Sequence, residues 1–356
     1  MHLVHVVGAR PNLMKLAPVH RALAKIPNIE QVVVHTGQHY DFNMSDVFFE
    51  QLGIGNPDVN LQVGSASHAR QTAEIMVRFE NVVMERSPDL VLVYGDVNST
   101  VAATLVCSKL GVHVAHVEAG LRSFDRSMPE EINRLVTDQL ADFLFTPSED
   151  GNRNLEREGI AGEKVYLVGN VMIDTLISML PLAQNQLPEN LPARFALVTL
   201  HRPSNVDDLE WLKSMLQSLE QIGSDLAVIF PVHPRTRQRM NDVGLNGLSS
   251  ILRLMEPLPY LPFLALQQHA TVVITDSGGI QEETTYLGVP CLTVRENTER
   301  PITVEIGTNT LAGRDPQRIR REVEMIVGGH AKQGKIPPLW DGHAAERIAQ
   351  VISKLA

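Results

Sequence analysis

Only two cysteines occur in 356 residues, Cys107 and Cys291, far apart and each inside an apolar segment. That excludes a disulfide framework or a thiolate metal cluster and fits two buried, reduced thiols. Basic charge is also short: 31 Lys and Arg against 41 Asp and Glu leave a formal net charge of −10. A nucleic-acid or anionic-membrane surface needs a basic stripe to release counterions, so neither partner is expected. Any anionic ligand must instead be met by a few cations converging from turns. No stretch approaches the roughly 18 apolar residues of a membrane span, and the N-terminal MHLVHVVGARPN lacks the features of a secretion signal, which predicts a cytoplasmic protein. Metal and redox motifs are missing as well. There is no H-E-x-x-H, no Cys/His cluster and no D-x-D, and the turn Gly8-Ala9-Arg10-Pro11 is not G-x-G-x-x-G. Neither a metal nor any other cofactor is expected.

What is present is a rhythm. Apolar, β-branched runs alternate with stretches of helical spacing: LVHVVG (3–8), QVVVHTG (31–37), DLVLVYGD (89–96), VHVAHVEAG (112–120), DFLFTPS (142–148) and KVYLVGN (164–170). After the Pro- and Asn-rich stretch 181–195 it restarts with ALVTLHRP (196–203), AVIFPVHP (227–234), ILRLMEPL (251–258), ATVVITDSGG (270–279) and PCLTVRE (290–296). Strands alternating with helices mean parallel sheets covered on both faces. The pattern predicts an α/β chain of two doubly wound, Rossmann-like domains facing across a cleft, over 1–170 and 171–342. The amphipathic stretch 343–356 is expected to return to the first of them.

Ligands of open parallel sheets sit at the carboxyl ends of the strands, so the strands mark out a site. Their exits carry Arg10, then Gln38 and His39, then Asp96, Glu118, His201 with Arg202, His233, and Ser277 with Gly278 and Gly279. Arg10 and Lys15 place two cations near a helix start, an arrangement suited to phosphate, although Lys15 also reads as a solvated helix residue. Asp96 suits either a helix N-cap or proton chemistry. Glu118 is followed by Ala119 and Gly120 with no immediate helix, which weakens a capping role. Glu130 and Glu131 follow Pro129 in a first helical turn and favour the macrodipole whatever else they do. In VVITDSGGIQEETTYLGVP the backbone N–H groups of Ser277, Gly278 and Gly279 suit a diphosphate, and Glu283, one turn on, suits ribose hydroxyls. Arg300 of TERP adds a phosphate partner. These residues together describe a nucleoside diphosphate site.

The motifs GARPNLMKLAPV, GDVNST, HVEAGLRSFDRSMPEEINR, PVHPRTR, TDSGGIQEE and NTERP, spread over nearly the whole chain, resemble those of the non-hydrolysing UDP-N-acetylglucosamine 2-epimerases. The resemblance implies a glycosyltransferase-B-like (GT-B-like) pair of domains, a UDP-sugar substrate, UDP as the departing group and a homodimer. It implies catalytic roles for Asp96, Glu118, Glu130 and His201, and phosphate contacts from Arg10 and Lys15. The uridine nucleotide would fall to His233, Phe263, Ser277, Gly278, Gly279, Glu283 and Arg300. Gln38, His39, Glu131 and Arg202 are the set for a second, regulatory substrate site. Departures stand at Asn12, where the family often has glutamate, at Tyr40, where members with a regulatory site often have arginine, and at Pro203. They bear on substrate activation and on the identity of the sugar. Competing expectations are a hydrolysing epimerase, an epimerase of a modified acetamido sugar, a GT-B glycosyltransferase and a non-catalytic nucleotide-sugar sensor. For the last two the dense carboxylate set would be surplus.

Overall fold

A strand covered on both faces reads as an unbroken apolar run, and β1 (His2–Val7), β4 (Leu90–Tyr94) and β5 (His113–Val117) are buried along nearly their whole length. The computed structural model describes residues 1–38, 52–242, 244 and 252–355. With β2 (Glu30–His35), β3 (Val59–Asn60), β6 (Phe143–Thr146) and β7 (Val165–Leu167), these strands make one parallel sheet of order β3-β2-β1-β4-β5-β6-β7. A second parallel sheet arranges β8 (Phe195–Thr199), β9 (Ala227–Pro231), β10 (Leu252–Met255), β11 (Val272–Thr275), β12 (Cys291–Thr293) and β13 (Asn309–Leu311) as β10-β9-β8-β11-β12-β13. The α/β class is as expected: two Rossmann-like sheets, GT-B-like in type. Strand order reverses between β1 and β4 in one sheet and between β8 and β11 in the other. Such reversal points open the crevices in which doubly wound sheets hold ligands.

Packing divides the chain into unit 1, Met1–Thr175 with Pro338–Ala356, and unit 2, Leu176–Pro337. In unit 1, Val4 pairs with Val91 and Val6 with Val93, and this register brings the exits of β1 and β4 level. Unit 2 has its own core, with Val198, Phe230 and Ile274 from the strands against Leu212, Leu216 and Leu219 from the helix Leu209–Gly223.

The helix Arg10–Leu23 contains Pro18, which has no N–H to give the carbonyl of Met14 four residues earlier. That orphaned oxygen instead accepts from Thr175 Oγ1 at 2.5 Å. The neighbouring Asp174 accepts from the N–H groups of Ala344 (3.2 Å) and Ala345 (2.7 Å), capping the helix Ala344–Ile352, which packs on Arg10–Leu23. Trp340 is buried beside them and donates its indole N–H to the Pro147 carbonyl at 3.0 Å.

Burial pushes the Asp174 carboxyl up to about 6, against the lowering effect of the Ala345 and Ala344 N–H groups. The native carboxyl therefore keeps its proton where the unfolded one, with a value of about 3.9, has lost it. Stabilisation from this group is whole below about pH 4 and is lost as pH rises through about 6, a change of about 3 kcal/mol. Asp174→Asn should remove a decline of that size from the urea unfolding free energy between pH about 4 and about 7. Parallel wild-type and variant curves would contradict the assignment.

Candidate active site

The carboxyl edge of the unit 1 sheet gathers most of the chemistry expected there. Lys15, one turn into the helix Arg10–Leu23, donates from Nζ to Glu118 Oε2, just past β5, and the two side chains are only 7 % and 4 % exposed. Lys15 is thus not a solvated helix residue. Gly95, with φ +63°, passes so close that a Cβ there would lie 2.6 Å from Lys15 Nζ and 3.2 Å from Glu118 Oε2. Glu118 itself sits at φ +74°, a left-handed conformation that costs a non-glycine residue of order 1 kcal/mol or more and is concentrated at functional sites. Asn12 ties two exits together, accepting from the N–H groups of Gly8 and Ala9 and donating to the Tyr94 carbonyl.

Asp96 is not an N-cap, since that place before the helix Asn98–Leu110 belongs to Val97. One of its oxygens is gripped by Arg134 through Nε (3.0 Å) and Nη2 (2.5 Å), and its carbonyl accepts from Asn133. Glu130, at the start of the helix Pro129–Leu140, is half-buried and has no side-chain hydrogen bond or ion pair among the described residues. Glu131 is different. Buried, it accepts from the N–H groups of Ser123 and Phe124, from the Ser123 hydroxyl and from Arg134, and so shapes the loop ahead of its own helix. Arg10 is exposed at the edge. Gln38 is buried, with Oε1 accepting from the Ser99 N–H and hydroxyl; His39 lies outside the described residues.

In unit 2 the helix Gly278–Leu287 begins right after β11. The Ser277 N–H turns back to the Thr275 hydroxyl at 3.0 Å. Gly278 is a close approach: a Cβ there would lie 2.6 Å from Arg300 Nη1 and 2.8 Å from Glu299 Oε1. Arg300 lies against this helix start, 2.9 Å from Glu282 and 2.6 Å from Glu299. Glu299 also pairs with Arg295 and, at 3.7 Å, with Arg202. Glu283 accepts from the Tyr260 hydroxyl at 2.9 Å and the Gln267 amide at 2.5 Å. The adjacent glutamates thus divide their work, one holding a cation and the other anchored by neutral donors. Phe263 is half-buried on the helix Tyr260–His269 and packs on the neighbouring core.

His201 has the carboxylate partner that no sequence spacing suggests. Its Nδ1 lies 3.0 Å from Asp276 Oδ1, and Asp276 also accepts from the N–H groups of His201 and Arg202 and from the Asn205 amide. Burial raises the Asp276 carboxyl, but the hydrogen bond and charge of His201, the Arg202 N–H and Asn205 outweigh it and hold it below the ordinary carboxylate value. An ionised Asp276 only accepts, so His201 donates to it from Nδ1, which leaves Nε2 for acid–base work. The His233 ring is 5.9 Å away, its own value lowered by partial burial and by the charges of His201 and Arg235.

Asp276 and Arg134 are the residues that sequence reasoning passed over. Asp276 carried a usable signal, because it leaves β11 as Asp96 leaves β4. Arg134 carried a weaker one, three residues after Glu131 on a helix. Among the described residues no group of three or more His, Cys, Asp and Glu could hold a metal ion, and no helix is long and apolar enough to cross a membrane.

Residues 21–353 match the family model described as UDP-N-acetylglucosamine 2-epimerase. The UDP-N-acetylglucosamine 2-epimerase of Methanocaldococcus jannaschii is 43 % identical over 99 % of both chains. The UDP-2,3-diacetamido-2,3-dideoxy-D-glucuronate 2-epimerase of Pseudomonas aeruginosa is 39 % identical over 100 % of both. Among solved structures, the M. jannaschii UDP-GlcNAc 2-epimerase in complex with UDP-GlcNAc and UDP superposes with a TM-score of 0.91, covering 99 % of this chain and 100 % of its own at 42 % identity. With a matching family model over most of its length and relatives alike from end to end, this chain belongs to the UDP-N-acetylglucosamine 2-epimerase family.

Proposed function

We propose that the chain interconverts UDP-N-acetylglucosamine and UDP-N-acetylmannosamine by reversible elimination and re-addition of UDP. The proton at C2 of such a sugar is not next to a carbonyl, so its removal alone is very unfavourable. Breaking the C1–O bond in the same sense relieves this. The C2–H electron pair becomes the C1=C2 bond of a 2-acetamidoglucal, and the C1–O pair leaves with UDP. Protonation of C2 on the opposite face, with return of the UDP oxygen to C1, gives the epimer without hydrolysis.

That chemistry asks for carboxyl groups to take and return the proton and for cations and N–H groups to hold the departing diphosphate. The observation that carries the proposal is the buried Lys15–Glu118 pair with Asp96 and its Arg134 on the same sheet edge. Asp96, Glu118 and Glu130 serve as the proton-handling groups, and His201, aligned by Asp276, as a further acid or base. Arg10, Lys15, Arg300 and the start of the helix Gly278–Leu287 hold the diphosphate. His233, Phe263, Ser277, Gly278, Gly279 and Glu283 take the uridine nucleotide, Glu283 accepting from the ribose diol. Gln38, His39, Glu131 and Arg202 belong to a second, regulatory position, and the working form is a homodimer.

A second reading rests on the P. aeruginosa relative. At 39 % identity over the full length it supports a UDP-sugar carrying a further acetamido group and a carboxylate. One proton NMR experiment separates the possibilities. UDP-N-acetylglucosamine incubated with the protein in heavy water should give the UDP-N-acetylmannosamine anomeric signal with deuterium at C2. Free N-acetylmannosamine and UDP as main products would replace re-addition by hydrolysis, and an untouched spectrum alongside turnover of the diacetamido glucuronate would establish the second reading.

A further inference from the structure

Beneath the unit 1 edge lies His116, within β5 and fully buried. Its Nδ1 is 2.6 Å from Asp138 Oδ1 and its Nε2 is 2.8 Å from the Gly95 carbonyl oxygen. A carbonyl can only accept a hydrogen bond, and so can an ionised carboxylate. Asp138 is ionised: its Oδ2 lies 2.7 Å from the Arg122 guanidinium and accepts from the Gly120 N–H, an arrangement that asks for a carboxylate. Both ring nitrogens of His116 therefore have to donate.

Charge balance leads to the same state. The charged groups around the ring are Asp138, from the helix Pro129–Leu140, Arg122, from the loop after β5, and Glu158, just past the helix Glu149–Arg157. Arg122 lies 2.7 Å from Asp138 Oδ2 and grips Glu158 through Nε and Nη2 at 2.7 and 2.6 Å. Two carboxylates face one guanidinium, so a protonated His116 makes the cluster neutral. His5 of β1 is the contrast. It is equally buried, but its nitrogens meet the Tyr94 hydroxyl and Gln31 Oε1. Burial and the charge of His20, against the Gln31 hydrogen bond, push it down to about 3.

The pair reaches both strand exits. His116 holds Gly95, which immediately precedes Asp96, and Asp138 Oδ2 accepts from the N–H of Gly120, two residues after Glu118, at 3.1 Å. We infer that His116 donates from both ring nitrogens and, with Asp138, positions Asp96 and Glu118; this rests on the function proposed for those two carboxylates. His116 and Asp138 are positioning residues and touch no reacting atom.

The test joins a spectroscopic readout to a kinetic one. Protein labelled with 15N-histidine should show a ring with both nitrogens protonated at pH about 8.5, where a free imidazole is neutral. Asp138→Asn should abolish that signal and lower kcat by roughly 10- to 100-fold, with KM for the UDP-sugar moved less than about 3-fold. A spectrum containing no doubly protonated ring at that pH would overturn the inference even if Asp138→Asn failed to fold. A folded Asp138→Asn with wild-type kcat would overturn the positioning role. Wild-type protein that turns over no UDP-acetamido sugar would overturn the proposed function, and the positioning role with it, while the charge on His116 would stand on the spectrum alone.

Discussion

Glu118→Gln should lower the rate of C2 epimerisation by roughly 10²- to 10⁴-fold while leaving UDP bound, the span expected when a positioned proton-transfer group is lost. The substitution is nearly isosteric, and the amide oxygen of glutamine still accepts from Lys15, so the site keeps its packing. Glutamine cannot take a proton from carbon. The nucleotide contacts proposed for Arg300, Glu283 and the start of the helix Gly278–Leu287 lie in unit 2 and are untouched. Deuterium uptake at C2 followed by NMR, beside UDP titration by calorimetry, reads the two effects separately. Unchanged exchange would remove Glu118 from the reaction, and loss of UDP binding with it would mean that the residue is structural.

Lys15→Met should destabilise the protein by about 3–5 kcal/mol at neutral pH, as well as abolishing turnover. With 7 % and 4 % exposure, neither partner can exchange the other for bulk water, and methionine leaves a carboxylate buried without its counter-charge. Adding Glu118→Gln to this variant should recover part of the loss, because glutamine needs no cation, and the double-mutant cycle then measures the coupling between the two positions. Urea midpoints give all four corners. A loss below about 1 kcal/mol in the single variant would show that the pair is open to solvent and worth no more than a surface ion pair.

The residues that sequence reasoning found share a local mark. Asp96 and Glu118 each end an apolar run, and a carboxylate at a strand exit is visible without any partner. The partners are not. Lys15 and Glu118 are 103 positions apart, and His201 and Asp276 are 75 apart, so only the strand order brings them together. Strand order is set by which helices cover which face, and no spacing encodes it. Eleven strands were legible as β-branched runs; β3, with two residues, is too short to show a period, and β13, reading Asn-Thr-Leu, has no apolar run to mark it. Pro18 illustrates the same limit from another side. Its helix-breaking chemistry is plain in the sequence, but the hydroxyl that repairs the break comes from Thr175.

The division of the chain has a consequence for its birth on the ribosome. Unit 2 is one continuous stretch, Leu176–Pro337, whereas unit 1 needs Pro338–Ala356 as well as Met1–Thr175. Bacterial and eukaryotic chains emerge at about 5–20 residues per second, and domains fold as they become complete. The nascent chain therefore carries an unfinished first unit for as long as all of unit 2 takes to be made. Through that interval the helix bearing Lys15 lacks the Ala344–Ile352 helix that packs on it. The half of the protein translated first is the half that closes last.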